Sequence, residues 1–105
     1  MVKRVSTRRH TLQEVLLTLK SHLPELRETY GIKSLGVFGS YVRGEVQRRS
    51  DLDLLVEFDR VPTLFEFVRL ERYLTTLLGV KVDLVMKTAL KPDIGKRILS
   101  ELVPV

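Results

Sequence analysis

The residues best suited to chemistry lie in one short stretch of the chain. Gly39 and Ser40 stand first, ten residues follow, and Asp51 and Asp53 end the stretch with one leucine between them. Because residues two apart on a strand point to the same face, the two carboxylates are predicted to lie side by side. Carboxylates that close repel each other, and a divalent cation with oxygen ligands relieves the repulsion. The spacing therefore predicts a divalent-cation site.

The glycine and serine predict a seat for phosphate beside that site. Gly39 has no Cβ, so its backbone can approach a ligand, and Ser40 adds a hydroxyl at the start of a short helix. Phosphate next to paired carboxylates indicates metal-dependent phosphoryl or nucleotidyl transfer. Arg43 follows Ser40 by one helical turn and could reach a phosphate. As a surface residue it could equally pair with Glu45 or Glu57.

Two apolar runs frame this stretch and predict strands over residues 33–38 and 51–58. Glu57 shares a strand face with the aspartates but lies too far along the strand to be counted as a ligand. The opposite face of the second strand is predicted to be buried and consists of Leu52, Leu54, Val56 and Phe58.

A third strand is predicted over residues 80–86, where apolar residues alternate with Lys81, Asp83 and Val85. An aspartate inside a strand is disfavoured. A metal site shared with the upstream aspartates would account for Asp83, and the alternative is an exposed residue on an edge strand. Lys81, on the same face, could contact a phosphate or offset the carboxylates.

Helices fill the remaining segments. Thr11 and Glu14 form a capping-box pattern that begins the first helix. Pro24 predicts that this helix ends near His22 and that a short turn follows up to Gly31.

A second long helix is predicted from the capping-box pair Thr63 and Glu66 to Gly79. Phe65 and Tyr73 lie off its apolar stripe, either at the core edge or on a partner surface. The predicted buried stripe consists of Leu64, Phe67, Val68, Leu74, Leu77 and Leu78. A last helix begins at Pro92, with an apolar side formed by Ile94, Ile98, Leu99 and Leu102.

The element order predicts an α/β (α+β) two-layer fold with a small mixed sheet flanked by helices. The length of 105 residues predicts one domain over residues 11–105, preceded by a basic arm over residues 1–10. That arm is either a solvated tail or a phosphate-binding segment.

The amino-acid composition excludes some kinds of site and is compatible with several kinds of partner. The chain has no cysteine, which excludes disulfides and Cys-ligated zinc and is compatible with a reducing cytoplasm. Its apolar runs are too short to span a membrane, and no signal peptide is expected. The net charge of +5 is compatible with nucleotides, nucleic acid or an acidic protein partner, and equally with ordinary solubility.

The pattern of Gly39-Ser40, a ten-residue gap and Asp51-x-Asp53, with a third aspartate downstream, resembles the DNA polymerase β-type nucleotidyltransferases. More narrowly, residues from about 12 to 102 resemble the minimal nucleotidyltransferases (MNT) of prokaryotes. Two positions depart from the usual pattern. Many relatives carry a basic residue at the position of Tyr41 and an aspartate at that of Glu45.

This resemblance implies two-metal nucleotidyl transfer from ATP. Asp51 and Asp53 would hold one Mg²⁺ with the triphosphate and share a second, and Asp83 would complete the second site. Nucleotide binding would fall to Gly39, Ser40 and Arg43.

The resemblance also implies a partner. Relatives pair with HEPN-domain toxins, so AMP transfer to a toxin hydroxyl, with a tyrosine as the favoured acceptor, is expected from a cytoplasmic antitoxin in a hetero-oligomer. No second substrate domain is expected in 105 residues, so the acceptor is expected to be bound by another chain. One alternative is a non-catalytic module that neutralises the toxin by docking. Direct nucleic-acid binding is not expected, because three carboxylates would repel phosphates without metal and no aromatic stacking platform is apparent.

Overall fold

The computed structural model describes residues 11–47 and 49–105; the predicted basic arm, residues 1–10, lies outside them. In these residues a four-stranded sheet is ordered β3-β2-β1-β4, with β2 parallel to β3 and β1 antiparallel to both β2 and β4. The elements are α1 (Leu12–Tyr30), β1 (Ile32–Phe38), α2 (Ser40–Arg43), β2 (Leu52–Phe58), α3 (Leu64–Leu78), β3 (Val82–Met86), a 3₁₀ turn (Lys87–Ala89), α4 (Pro92–Glu101) and β4 (Val103–Pro104). The predicted mixed α/β fold is confirmed, and the short β4 is an element that the sequence pattern did not predict.

Helix α1 runs unbroken through Pro24, so the prediction that it ends near His22 is wrong. Proline inside a helix costs about 3 kcal/mol. Leu23 and Leu26 on either side are both buried, and their packing outweighs that cost. The helix ends at Gly31, which has φ 70° as expected for a left-handed stop. None of the helices in the described residues is long and apolar enough to cross a membrane.

One face of the sheet is closed by α1 and α3. The apolar stripe of α3 is centred on Leu74, and Val68 lies about 120° around the helix from it. Val68 is therefore exposed, contrary to prediction, and Leu70 is fully buried; Leu64, also predicted to be buried, is exposed as the first residue of the helix. The core on this face contains Val15, Leu19, Leu23, Leu26, Leu35, Val37, Leu52, Leu54, Val56, Leu70, Leu74, Leu78, Val82 and Leu84.

The two aromatic residues that lie off the predicted stripe of α3 have different environments. Tyr73 packs against Tyr30 of α1 with ring centroids 6.1 Å apart, and its hydroxyl donates to Glu25. It therefore lies at the core edge. Phe65 is 83% exposed and contributes to the surface instead.

The other face is covered by α4, while β4 extends the sheet beside β1. Leu102 lies against Gly36 of β1, where a Cβ atom would come within 2.8 Å of the leucine Cδ1. Ile98 and Leu102 are half-buried, but Ile94 and Leu99, which were predicted on the same apolar side, are largely exposed. This face is therefore only partly closed.

Strand β3 forms one edge of the sheet, and side chains from α3 engage its outward N–H groups. The Val82 N–H donates to Oγ1 of Thr75 at 3.1 Å, and the Leu84 N–H donates to Oε2 of Glu71 at 2.9 Å. The edge strand is thus tied to the helix that covers it.

Candidate active site

Gly39 forms the turn between β1 and α2. Its φ of 81° lies in the region that side chains disfavour, so glycine suits the backbone here. A Cβ atom built on Gly39 would overlap Oδ2 of Asp53. The missing side chain therefore makes room for a carboxylate of the same chain, whereas the sequence analysis assigned that room to the nucleotide.

The aspartates of β2 and β3 are neighbours. Asp53 and Asp83 are register partners on parallel strands, which lie about 4.8 Å apart. Both side chains point to the partly closed face, and Asp51 immediately precedes β2. The structure thus places the predicted carboxylates at one end of two adjacent strands. Their role as metal ligands stays a prediction.

The electrostatics of this end of the sheet centre on Asp53. The pKa of Asp53 is raised to about 6, mainly by burial and to a smaller extent by the Asp83 and Asp51 carboxylates. In residues 11–47 and 49–105, no three acidic or histidine side chains stand close enough as placed to hold a metal ion. The backbone therefore brings the aspartates together, while the side chains do not form a closed ligand set.

Arg43 lies beside this cluster and contacts two carboxylates. Its Nε donates to Glu45 at 2.8 Å, one of the two pairings that the sequence analysis considered. The other, with Glu57, is not formed, because Glu57 accepts a hydrogen bond from Ser34 and pairs with Lys87. The second partner of Arg43 is instead Glu101, whose carboxylate oxygens lie 3.1 and 3.2 Å from Nη1.

Glu101 is a site residue that the sequence analysis missed. Its Oε2 accepts the Gly39 N–H at 2.7 Å, across 62 positions of sequence. The only signal in the sequence is an acidic residue near the end of an amphipathic helix, where the helix dipole disfavours negative charge. Together these groups line a cavity of about 470 Å³, whose walls comprise Phe38, Gly39, Arg43, Asp53, Ile94, Arg97, Ile98, Ser100 and Glu101.

The residues that line this cavity do not include the predicted site residues Ser40, Asp51 and Asp83, nor Tyr41 and Lys81. Tyr41, which stands where many relatives carry a basic residue, is buried in the core on the closed face. Lys81 is exposed, and its carbonyl oxygen accepts the Leu52 N–H at 2.8 Å where β2 begins. Tyr41 therefore acts as a packing residue, and the strand-pairing bond at Lys81 comes from its backbone.

A strand, a glycine-serine turn, a short helix and a second strand with paired aspartates define a class of nucleotide-processing enzyme. Residues 19–105 match the family described as the nucleotidyltransferase domain. The chain belongs to the nucleotidyltransferase family, and the expectation of a nucleotidyltransferase enzyme is thereby confirmed.

The chain is also similar to individual members of this family. The chain is 53% identical over 93 residues to the protein adenylyltransferase MntA of Thermococcus cleftensis, covering 89% of this chain and 94% of that one. Its fold is similar to that of a solved candidate minimal nucleotidyltransferase, with a TM-score of 0.77, 38% identity and coverage of 91% and 97% of the two chains. The resemblance to the minimal nucleotidyltransferases is thus confirmed.

The fold is also similar, at lower sequence identity, to that of a chain in a solved complex. A chain in the complex of tri-AMPylated Shewanella oneidensis HEPN toxin with MNT antitoxin has a TM-score of 0.63 and 19% identity. The match covers 86% of this chain and 70% of that chain. At this level of identity the likeness shows the fold alone.

Proposed function

We propose that this chain is a Mg²⁺-dependent protein adenylyltransferase that transfers AMP from ATP to a hydroxyl of a HEPN-domain toxin and so acts as its antitoxin. The observation that carries the proposal is the in-register pair Asp53 and Asp83, with the Gly39 turn directly against Asp53. Two similarities support it. The Thermococcus relative is a protein adenylyltransferase, and a chain of similar fold occurs in the Shewanella complex with an AMPylated HEPN toxin.

The three aspartates fit Mg²⁺ by the chemistry of their donors, because carboxylate oxygens are the hard ligands that this ion prefers. The raised pKa of Asp53 has burial as its main cause, but the Asp83 and Asp51 carboxylates also contribute, and a bound cation would relieve that repulsion. Asp51 and Asp53 would hold one ion, and Asp83 would complete a second site. When bound, two ions would neutralise the triphosphate and lower the pKa of the acceptor hydroxyl.

The protein's own groups bind and orient the reactants. The Ser40 hydroxyl and the Arg43 guanidinium would contact the β- and γ-phosphates. The acceptor oxygen forms a bond to the α-phosphorus of ATP, the bond from that phosphorus to pyrophosphate breaks, and pyrophosphate leaves. The acceptor proton must also leave, and Asp83, which is the more exposed member of the in-register pair, is the group proposed to take it.

The toxin hydroxyl must be presented to this site by a bound partner. Val61, in the loop before α3, and Leu64 and Phe65, in its first turn, are 86%, 78% and 83% exposed, which is unusual for large apolar residues. They support contact with a partner protein. A tyrosine as the acceptor follows from the family resemblance and is part of the proposal.

Intact-mass spectrometry of the partner toxin tests the proposal. Incubation with this protein, ATP and Mg²⁺ is expected to add the mass of one or more AMP groups, and peptide mapping would locate them on tyrosine. The same incubation with EDTA, or with Asp53→Asn, should leave the toxin unmodified. An unmodified toxin in the complete reaction would refute the catalytic proposal.

The same exposed apolar residues favour a second candidate, a module that neutralises the toxin by docking alone. The two functions separate in one comparison. Asp53→Asn should lose neutralisation if AMP transfer is required and keep it if docking suffices. Replacing Phe65 with serine should weaken partner binding under both readings, which makes it a control for the interface.

A further inference from the structure

Glu101, the last residue of α4, connects two parts of the proposed phosphate seat. One carboxylate oxygen accepts the Gly39 N–H at 2.7 Å, and both oxygens contact Nη1 of Arg43 at 3.1 and 3.2 Å. Its side chain is only 26% exposed. A single carboxylate therefore holds both the backbone turn and the cation that follows it.

This position is electrostatically unfavourable for an acid. The carboxylate lies at the negative end of the α4 dipole and lines the same cavity as Asp53. Charge-assisted hydrogen bonds from Gly39 and Arg43 offset that cost. Because those bonds are to the phosphate seat, the acid couples α4 to the seat more than it contributes to the packing of the helix.

The contacts constrain what the seat can present to a nucleotide. Arg43 is held through Nε by Glu45 and through Nη1 by Glu101, which leaves Nη2 for another acceptor. Gly39 is held through its N–H, with its Cα surface against the Asp53 carboxylate. Glu101 thus fixes the orientation of the arginine and, through Gly39, the surface on which Asp53 rests.

We propose that Glu101 is a positioning residue, which fixes the Gly39 turn and the Arg43 guanidinium so that the remaining donors face the triphosphate. The inference rests on the proposed nucleotidyl transfer. A rival role has the opposite sign: a carboxylate on these donors could act as a stand-in for phosphate that ATP must displace. Positioning predicts that ATP affinity falls when the carboxylate is removed, and displacement predicts that it rises.

Calorimetric titration with ATP and Mg²⁺ shows whether ATP affinity falls or rises when the carboxylate is removed. Glu101→Ala is expected to weaken ATP binding about tenfold, the usual loss for a charge-assisted hydrogen bond. Glu101→Gln should be intermediate, because its amide oxygen still accepts the Gly39 N–H but carries no charge for Arg43. Glu57→Ala is the matched control, since Glu57 is 30% exposed and also combines a hydrogen bond with an ion pair; its ATP affinity should not change.

A double-mutant cycle tests whether Glu101 acts through Arg43. If Glu101 acts through Arg43, the double variant Arg43→Ala/Glu101→Ala should bind ATP little more weakly than Arg43→Ala alone. Additive losses would overturn the part of the inference that acts through Arg43, and ATP affinity that is unchanged or tighter in Glu101→Ala would overturn the whole. If Glu101→Ala does not fold, Glu101→Gln is compared with wild type instead. Weaker ATP binding then supports positioning, and unchanged or tighter binding overturns it. A wild-type protein that binds ATP and modifies the toxin, with normal Glu101 variants, would refute this inference alone; a wild type that does neither would refute the proposed function.

Discussion

The two faces of the central sheet differ in how completely they are covered. Beneath α1 and α3, residues such as Leu19, Leu54 and Leu70 are 0% exposed. On the face covered by α4, Ile94 and Leu99 of that helix remain largely exposed, and Asp53, Asp83 and Glu101 lie at or near the surface. The two faces therefore differ in role: one contributes stability by excluding water, and the other leaves the charged groups of the proposed site accessible to solvent.

Strand β2 contributes side chains to both faces of the sheet through adjacent residues. Leu52 and Leu54 are fully buried in the closed core, while Asp53 between them points to the open face. Strand alternation makes this possible without placing a carboxylate in the core. It also means that substitutions one residue apart should have different consequences, which the following predictions exploit.

The largest expected effect is on catalysis at the open face. Asp53→Asn and Asp83→Asn should each slow AMP transfer by about a hundredfold or more, since each removes a proposed metal ligand with almost no change in volume. Thermal stability without Mg²⁺ should be unchanged or slightly higher, because carboxylate repulsion is reduced. Transfer would be followed by intact mass and unfolding by circular dichroism. A normal transfer rate in either variant would remove that aspartate from the site.

The second largest expected effect is on stability, and it tests the difference in burial between the two faces. Leu70→Ala should lower the free energy of unfolding by about 2–5 kcal/mol, because it opens a cavity in the closed core. Leu99→Ala, the same change on the open face at 46% exposure, should cost well under half as much. Urea denaturation of both variants measures the difference. Equal losses would mean that the two faces contribute alike to stability.

A smaller effect separates backbone strain from crowding at the Gly39 turn. Gly39 and Gly44 have φ of 81° and 72°, so alanine at either should cost about 1–2 kcal/mol of stability. Only at Gly39 would the new Cβ meet Asp53; nothing lies within 4 Å of it at Gly44. Gly39→Ala should therefore also impair ATP binding and transfer, while Gly44→Ala should affect stability alone. Similar transfer rates in the two variants would argue against the crowding.

The smallest effect is a pH dependence. Asp53 has a folded-state pKa of about 6 against an ordinary value of 3.8, so its protonated form is favoured by folding. Its stabilising contribution is present below about pH 4 and is lost as the pH rises through 6. Without divalent ions, the melting temperature of wild type relative to Asp53→Asn should fall over this interval. A difference that is constant with pH would contradict the raised pKa.

The sequence predicted the features that local patterns encode. Alternation placed Asp83 on the face of Asp53, and both capping boxes form as the Thr-x-x-Glu pattern indicated. Features set by distant packing were missed. Pro24 is tolerated because flanking leucines are buried, and Glu101 reaches Gly39 only because α4 crosses the open face. Neither fact has a local signature, since each depends on which elements pack together.

The covered edge of the sheet has a consequence for self-association. A strand edge with unpaired N–H groups is a template for a strand of another molecule, and it is the usual starting point of aggregation. In β3 the outward N–H groups of Val82 and Leu84 are engaged by Thr75 and Glu71. Asp83 stands between those two residues, with its carboxylate exposed. The strand can therefore present its acid to an approaching protein while its backbone resists recruitment into an intermolecular sheet.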